Sequence, residues 1–376
     1  RRDSMHSKVI VVGAGPAGLA ASRVFVRDGV DFLLIDSKSF PREKGCGGGL
    51  TPRSLKRVYE IFPEVDIDGF DCHELSINKL IDGQVKHLTT LKSKKIIFKT
   101  VDRKEFDNTL LESVVERGGR FLSSRVKEIG KDGEVFVVRT DDRELTSDYV
   151  IVAAGVLGAK LLGHEPPSFV VAYHGYSSPT GSASVTFIPN GYLWSFPCES
   201  FNSVGGGVYP DSKKAPSYEE MSTLIKRSFD EEIDLQGTPI PTFNTDVVLA
   251  MNNLNKGLLF AGDSAGLVDN WTGSGIDFAL DSGRQAALSI IEDGYKGKTA
   301  NERYLERLFP AARHLQIADA FRKRFNLNFE EHLDLLKGRM AAKLLSNYLS
   351  YYVKGPFRLA FKSLFTGGIS SRQLHG

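Results

Sequence analysis

The chain has 376 residues, more than one hydrophobic core usually organises, so we expect two or three structural units around one site. Its 41% hydrophobic and 25% charged residues are typical of a globular protein and exclude a disordered or fibrous chain. Three scattered cysteines exclude a disulfide framework, and neither they nor the eight histidines have metal-ligand spacing. We therefore expect a cytoplasmic protein without a bound metal.

The first elements predict a strand, a helix and a second strand that pairs in parallel with the first. Lys8–Val12 is a β-branched strand, Pro16–Asp28 has helical spacing, and Asp31–Ile35 is a second apolar strand. The sequence Gly13-Ala14-Gly15-Pro16-Ala17-Gly18 joins the first strand to the helix. This is the GxGxxG dinucleotide fingerprint in the structural context that it requires.

Each glycine of the fingerprint has a physical role. The first allows a tight turn, the second lets the backbone approach a pyrophosphate, and the third lets helix and strand pack closely, while the helix N-terminus faces the anion. Asp36 ends the second strand, where its carboxylate can accept hydrogen bonds from the ribose hydroxyls of the adenosine. FAD and NAD are both compatible with this motif. We assign Gly13, Gly15, Pro16, Ala17, Gly18 and Asp36 to the cofactor.

The middle of the chain changes its pattern. A helix is predicted over Asp102–Gly118, followed by strands at Val135–Thr140 and Tyr149–Ala154. Phe169–Tyr209 alternates aromatic and β-branched residues with Gly and Pro, which predicts an antiparallel sheet. This segment is therefore expected to form a different subdomain.

The last third of the chain returns to the first sheet and then becomes helical. Leu258–Ala261 predicts a buried strand and Gly266–Ile291 a helix, and helical periodicity dominates Asn301–Phe365 with interruptions at Pro310 and at Gly355-Pro356. Gly338 to Gly376 contains six basic residues and no Asp or Glu. This tail lacks a nucleic-acid-binding module, so we do not expect nucleic acid as a partner. We expect the tail to favour an anionic membrane surface.

A second glycine-acid motif favours FAD over NAD. Gly262-Asp263 follows the strand Leu258–Ala261, where its carboxylate can lie near ribityl hydroxyls. The helix that follows can direct its N-terminus at the pyrimidine edge of a flavin, where reduced flavin carries negative charge. A nicotinamide enzyme needs no such element.

Taken together, these motifs resemble the geranylgeranyl reductase family of flavoproteins, in the larger group built like p-hydroxybenzoate hydroxylase. The resemblance spans about Lys8 to Ile291. Lys44-Gly45-Cys46-Gly47-Gly48-Gly49 is similar to the family's KxCGGG segment. Pro189-Asn190-Gly191-Tyr192-Leu193-Trp194-Ser195-Phe196-Pro197 is similar to its PxxYxWxFP segment. Val101-Asp102-Arg103 with Phe106-Asp107 looks like the family's helix start, where the arginine lies near the cofactor.

The resemblance implies an FAD domain, a sheet-based substrate domain with a hydrophobic tunnel, and saturation of geranylgeranyl chains in archaeal lipids or in chlorophyll and tocopherol precursors. The segment Asp269-Asn270-Trp271-Thr272-Gly273-Ser274-Gly275 departs from the family, which usually reads Pro-Leu-Thr-Gly-Gly-Gly there. The electron donor is left open, with NAD(P)H and ferredoxin as alternatives. On this basis we also expect cofactor contacts from Cys46, Gly47, Arg103, Gly262, Asp263, Gly273, Gly275 and Ile276.

Two sets of residues are expected to meet the substrate. Tyr192, Trp194 and Phe196 alternate along a predicted strand, so their rings point to one face and form a wall suited to an isoprenoid. Trp271 is expected to join them. Cys46 lies in a glycine run, and a mostly protonated thiol can relay or position the proton that alkene saturation needs; water can also supply it.

We therefore predict an α/β (α+β overall) fold with a Rossmann-like FAD-binding domain, an inserted antiparallel-sheet substrate domain and a C-terminal helical segment. The predicted boundaries are 5–75, 98–162 and 245–298 for the FAD-binding domain, 76–97 and 163–244 for the substrate domain, and 299–376 for the helical region. The predicted function is reduction of isolated C=C bonds in isoprenoid lipids, in the cytoplasm or at the inner face of the membrane. Two alternatives stay open: a monooxygenase of the same fold, and a reductase of a quinone's isoprenoid side chain.

Overall fold

A computed structural model describes residues 5–212 and 216–327. The basic tail Gly338–Gly376 and the predicted break at Gly355-Pro356 lie outside the described residues. The strands are β1 Met5–Val12, β2 Phe32–Asp36, β3 Gly49–Leu50, β4 Phe70–Cys72, β5 Glu74–Ile81, β6 Gln84–Lys92, β7 Phe98–Thr100, β8 Phe121–Ser123, β9 Val126–Asp132, β10 Val135–Thr140, β11 Glu144–Val152, β12 Phe169–Ser177, β13 Ala183–Ile188, β14 Gly191–Pro197, β15 Asn202–Val208, β16 Gln236–Pro241 and β17 Leu258–Phe260. The helices are α1 Pro16–Arg27, α2 Pro52–Ile61, α3 Arg103–Glu116, α4 Tyr218–Phe229, α5 Thr245–Met251, α6 Ile276–Ile291 and α7 Ala300–Leu327.

The first sheet has the strand order β8-β2-β1-β11-β10-β9, with β17 also paired to β11. β1 pairs in parallel with both β2 and β11, whereas β9, β10 and β11 form an antiparallel meander. The apolar runs of β1 and β17 are fully buried, as expected for strands covered on both faces. Helices α1 and α6 pack closely because Gly283 has no side chain to meet the backbone of Ala17.

The second sheet has the order β16-β12-β15-β14-β13-β5-β6 and is antiparallel except where β13 pairs with β5. The predicted antiparallel pattern over Phe169–Tyr209 corresponds to β12 through β15. Leu193 and Val204 on one face pack with Met221 and Ile225 of α4. The other face turns toward the cavity described below. A third sheet, β3-β7-β4, contains the strand that follows the glycine run.

The predicted fold class is confirmed, with a mixed α/β chain and helix α7 after the last strand. The division into domains stays a prediction. Two local predictions were wrong. The helix expected from Gly266 begins only at Ile276, because Gly266 is left-handed at φ +70° and Asp269 caps a tight turn after it. Helix α7 continues through the exposed Pro310, since burial of Leu308 and Leu315 offsets the lost backbone hydrogen bond.

Candidate active site

One cavity of about 840 Å³ brings the predicted motifs together. It opens between the turn after β1, the glycine run that precedes β3, the cavity-facing side of β14 and the segment that joins β17 to α6. Of the predicted site residues, Gly18 and Gly262 do not line it. Those that do are Gly13, Gly15, Pro16, Ala17, Asp36, Cys46, Gly47, Arg103, Tyr192, Trp194, Phe196, Asp263, Trp271, Gly273, Gly275 and Ile276.

At one end of the cavity, the turn after β1 is shaped to receive an anion. Gly13 adopts φ +104°, and helix α1 begins after Gly15 with no side chain capping its first N–H groups. Asp36 accepts hydrogen bonds from the backbone N–H of Ala14 at 2.7 Å and of Lys38 at 2.9 Å, which fixes its carboxylate beside this turn. Gly18 acts inside the fold, since a Cβ there would lie 1.8 Å from the Gly13 carbonyl oxygen.

The second glycine-acid motif lies at the end of β17. Gly262 is left-handed at φ +59°, and its N–H donates to the Ser282 hydroxyl of α6 at 2.9 Å. Asp263, the next residue, lines the cavity. Helix α6 begins after Gly275 and, like α1, has no side-chain cap. Two uncapped helix N-termini and two carboxylates thus meet one cavity, an arrangement that fits a dinucleotide with a charged ring system.

Cys46 is half-buried in the glycine run and is held from several sides. Its sulfur accepts from the Gly48 N–H at 3.4 Å, and its carbonyl accepts from the Ser203 hydroxyl at 3.3 Å. The Arg103 guanidinium also contacts the sulfur. Burial alone would lower the pKa of Arg103, but the Asp107 carboxylate and the Cys46 sulfur raise it above the ordinary arginine value. Arg103 is therefore a fixed cation beside the thiol.

The position of Arg103 is itself determined by a buried carboxylate. Asp107 lies one turn later on α3 and accepts two hydrogen bonds of 2.9 Å from the guanidinium. Arg42 makes a second ion pair with Asp107 at 3.3 Å. Asp107 is fully buried, so its two arginine partners balance a charge that would otherwise be costly to desolvate.

The other two cysteines have a different environment. Cys72 and Cys198 are buried, and burial raises the pKa of their thiols to about 11 and about 12. Neither lines the cavity. Cys46 is the cysteine whose position allows contact with a bound molecule.

The aromatic residues of β14 form a wall on one side of the cavity. Tyr192, Trp194 and Phe196 line the cavity, whereas Leu193 points to the opposite face of the sheet. The glycine run lies directly against this wall, since a Cβ on Gly47 would be 3.2 Å from the Trp194 indole nitrogen. At the other end of the wall, the Tyr192 hydroxyl donates to the Thr272 carbonyl.

Sequence reasoning missed His174, which lies on β12. Its ring packs against Gly45, where a Cβ would come 2.1 Å from Nε2, and its Nδ1 is buried without a hydrogen-bond partner among the described residues. Burial and the nearby Lys44 charge lower the pKa of His174, which favours the neutral imidazole. His174 pairs with Gly205, which in turn pairs with Trp194. His174 lies beside the aromatic wall because of this strand pairing. A single sequence does not reveal such pairing.

The apolar part of the cavity also contains residues that no motif indicated. They come from β5, β7, β13 and the segments beside β7 and β15. They are Leu75, Ile77, Ile97, Phe98, Val185, Phe187 and Tyr209. The Phe98 and Phe196 rings pack at 4.7 Å, which extends the wall across to the third sheet.

Comparisons with known proteins agree with this fold. The model of the family described as lycopene cyclase protein matches residues 8–176. A menaquinone reductase of Mycobacterium tuberculosis is 28% identical, over 85% of this chain and 81% of the relative. A geranylgeranyl diphosphate reductase of Rhodobacter capsulatus is 28% identical, over 79% of this chain and 78% of the relative.

Solved structures show the same architecture. A geranylgeranyl bacteriochlorophyll reductase-like protein of Thermoplasma acidophilum superposes with a TM-score of 0.74 at 19% identity, covering 99% of both chains. A flavin-dependent brominase gives a TM-score of 0.72 at 19% identity, covering 99% of this chain and all of the other. These solved structures share the fold of this chain. The predicted resemblance to geranylgeranyl reductases is confirmed by relatives of that name and by relatives named digeranylgeranylglycerophospholipid reductase.

Proposed function

We propose that this protein is an FAD-dependent reductase that saturates isolated C=C bonds in geranylgeranyl or related isoprenoid chains. The observation that carries the proposal is that one cavity joins the two cofactor motifs to an apolar chamber walled by Tyr192, Trp194 and Phe196. A cofactor site alone would fit many flavin reactions. An aromatic and aliphatic chamber beside it fits a long hydrocarbon chain, and the reductase names of the relatives support that choice.

The residues that line the cavity fit FAD. Gly13, Gly15 and the N-terminus of α1 would bind the pyrophosphate, Asp36 the adenosine ribose, and Asp263 the ribityl chain. The uncapped N-terminus of α6, with Gly273, Gly275 and Ile276, would stabilise negative charge on the flavin pyrimidine by a few tenths to about 1 kcal/mol. When bound and reduced, FAD supplies the hydride for one alkene carbon.

The other carbon needs a proton, which Cys46 or water would supply. Cys46 is the candidate in the chain, because it lines the cavity and its glycine run lies against the aromatic wall. When its S–H bond breaks, the Arg103 guanidinium stabilises the thiolate that is left, and Asp107 keeps the guanidinium in place. The thiolate then regains a proton from water, so each cycle adds one hydride and one proton to the double bond.

The second candidate is reduction of the isoprenoid side chain of a quinone, which the similarity to a menaquinone reductase favours. Both candidates use the same chamber and differ in the group attached to the isoprenoid chain. The third candidate is a monooxygenase of the same fold, which the structural similarity to a flavin-dependent brominase favours. It would insert oxygen rather than add hydrogen.

Product analysis under anaerobic conditions separates these functions. Protein reduced with dithionite is mixed with a geranylgeranyl lipid or with a polyprenyl quinone, and flavin reoxidation and product mass are followed. We expect a gain of two hydrogens per bond reduced and, in D2O, two deuterium atoms per bond, because the N–H hydrogen that reduced flavin transfers as hydride exchanges with solvent. The substrate that is reduced faster identifies the group attached to the isoprenoid chain. Oxygen insertion when air is admitted, without hydrogen gain, would contradict the proposal.

Cofactor assignment is tested separately. The purified protein should release FAD, and Asp36→Ala and Asp263→Ala should each retain less of it after gel filtration, because each removes an acceptor for cofactor hydroxyls. The exposed Asp132 on β9 offers a matched control. Asp132→Ala should keep full occupancy, and full occupancy in the other two variants would disprove the role of their carboxylates.

A further inference from the structure

Trp271 lies in the turn that departs from the usual family sequence, and that turn is rigid. The Asp269 carboxylate accepts from the backbone N–H groups of Trp271 at 2.8 Å and of Thr272 at 3.3 Å. The Gly273 N–H donates to the Asp269 carbonyl at 2.8 Å. The indole is therefore presented from a fixed backbone.

The adjacent Asn270 ties this turn to the surrounding structure. Its amide oxygen accepts from the Phe243 N–H at 2.8 Å, and its amide nitrogen donates to the Phe243 carbonyl at 3.2 Å. The same nitrogen donates to the Asp319 carboxylate of α7 at 3.0 Å. The turn is thus fixed to the segment after β16 and to α7.

Trp271 stands between the apolar chamber and helix α7. The indole lines the cavity and is only 5% exposed. Behind it, the Phe321 ring of α7 packs edge-on at 4.7 Å, and Ala318 belongs to the same apolar cluster. Neither Phe321 nor Ala318 lines the cavity. The indole is therefore the layer that separates the chamber from α7.

Strand β14 runs along the chamber, so its side chains mark positions from one end of the chamber to the other. Phe196 and Trp194 contact the glycine run that carries Cys46, and Tyr192 bonds to Thr272, next to Trp271. Tyr192 and Phe196 are four positions apart, which corresponds to roughly 13 Å along a strand. The two ends of the wall are therefore well separated. The Cys46 loop and Trp271 accordingly lie toward opposite ends of the wall.

We propose that Trp271 closes the apolar chamber and sets the length of isoprenoid chain that it accepts beyond the reacting double bond. This inference rests on the proposed function, because it takes the chamber to hold the substrate chain. Removing the indole would open space as far as Phe321 and Ala318, and the rigid turn would not collapse to fill it. A longer chain would then fit.

The test compares isoprenoid alcohols of increasing length: geraniol, farnesol, geranylgeraniol and the long polyprenol solanesol. Their kcat/KM values come from anaerobic reoxidation of the reduced protein, and binding of their hydrogenated counterparts comes from the change in flavin absorption. In Trp271→Ala, the ratio of solanesol to geranylgeraniol should rise about 10-fold or more in both measurements. In Trp271→Leu the same ratio should rise less. This variant replaces Trp271→Ala in the test if the alanine variant folds poorly.

Two controls make the result specific. Trp271→Phe retains a ring and should keep the original preference. Leu193→Ala removes a large side chain from the opposite face of β14, so it should lower stability without changing the ratio. An unchanged ratio in Trp271→Ala and Trp271→Leu, or an equal change in Leu193→Ala, would overturn the inference.

The binding measurements separate this inference from the proposed reaction. If the hydrogenated alcohols bind with the expected shift but no alkene is reduced, the reductase proposal fails and the role of Trp271 stands. If alkenes are reduced with no shift, only the role of Trp271 fails. If no alcohol of any length binds or reacts, both fail.

Discussion

At the scale of single residues, the proposed proton donor is Cys46, with the Arg103 guanidinium beside its sulfur. If the thiol delivers that proton, Cys46→Ser should slow anaerobic reoxidation by a geranylgeranyl lipid by about 10²–10⁴-fold, the range of general acid catalysis. FAD binding should survive, because a serine oxygen can also accept from the Gly48 N–H and the Arg103 guanidinium, and the contact of the Cys46 carbonyl does not depend on the sulfur. Stopped-flow absorbance measures the rate, and the flavin spectrum before mixing measures occupancy.

The matched control is Cys198→Ser. Cys198 is buried away from the cavity, so its replacement should leave the reoxidation rate unchanged. A loss of about tenfold or less in Cys46→Ser would indicate that the thiol only positions the substrate. An unchanged rate would remove Cys46 from the mechanism and leave water as the proton source.

A buried group of titratable residues lies beneath the start of α6. Asp277 pairs with Arg53 at 3.2 Å, and burial raises the pKa of Asp277 to about 6 even though Arg53 opposes that shift. Burial also lowers the pKa of His314 to about 4, and the Arg53 charge adds to this effect. Both shifts act on stability in the same pH range, with opposite signs.

The signs follow from proton binding. Between about pH 4 and 6, folded Asp277 holds a proton that the unfolded chain has released, so its contribution to stability falls as pH rises. Folded His314 lacks a proton that the unfolded chain binds, so its contribution rises with pH up to about 6.5. A pKa change of this size corresponds to roughly 3 kcal/mol for each group, and the two contributions oppose each other.

Single substitutions should expose these opposing slopes. In Asp277→Asn the histidine remains, so the free energy of unfolding should increase from pH 4 to 6.5. In His314→Gln the carboxyl group of Asp277 remains, so the free energy of unfolding should increase less than in Asp277→Asn, or decrease, over the same range. Urea denaturation at several pH values measures both slopes, and equal slopes in the two variants would contradict this account.

At the scale of elements, Gly18 lies outside the cavity but holds helix α1 close to the turn after β1, which forms part of the proposed cofactor site. A Cβ on Gly18 would lie 1.8 Å from the Gly13 carbonyl oxygen, so Gly18→Ala must displace α1 or the turn. We expect a loss of FAD retention together with a destabilisation of about 1–3 kcal/mol. Thermal unfolding and FAD occupancy after gel filtration measure these effects.

A glycine elsewhere provides the comparison. Gly130 lies on β9, where a Cβ would have no heavy atom within 4 Å and where φ is not positive. Gly130→Ala should therefore keep FAD and leave stability unchanged or slightly higher. Normal FAD retention in Gly18→Ala would show that the third glycine of the fingerprint is dispensable for the site.

The elements that the sequence predicted well are those whose signals are local. β10 agrees with its predicted bounds, and α1 and α3 differ from theirs by one or two residues at an end. The start of α6 was misplaced because Gly266 and the turn at Asp269 interrupt an apolar pattern that suits a helix. Such a turn depends on side-chain to backbone bonds that periodicity does not detect.

The residues of the candidate site also fall into those with a local sequence signal and those without one. Gly13, Asp36 and Cys46 lie in contiguous motifs, and all three line the same cavity. His174 and Phe98 reach the same cavity from β12 and β7, and nothing in their local sequence indicates it. Their position follows from strand pairing across distant parts of the chain, which one sequence leaves unspecified.

At the scale of the whole molecule, the proposed function requires that a long hydrocarbon chain reach the apolar chamber. No helix in the described part of the chain is long and apolar enough to span a membrane. The tail from Gly338 to Gly376 carries six basic residues and no acidic ones, with aromatic and aliphatic residues between them. We propose that this tail brings the protein to anionic membrane surfaces, where isoprenoid lipids reside.

Liposome sedimentation with the full-length protein tests this proposal. Each basic residue near an anionic surface contributes at most about 1 kcal/mol, so binding should be reversible, should increase with the fraction of anionic lipid and should weaken with salt. Reversing two tail charges, Lys354→Glu with Arg358→Glu, should weaken binding several-fold or more, because two attractive charges become repulsive. The exposed Lys94 and Lys95 allow a matched control, and reversing both should change binding much less. Binding that ignores lipid charge and salt, or that falls equally in both double variants, would show that the tail does not direct the protein to membranes.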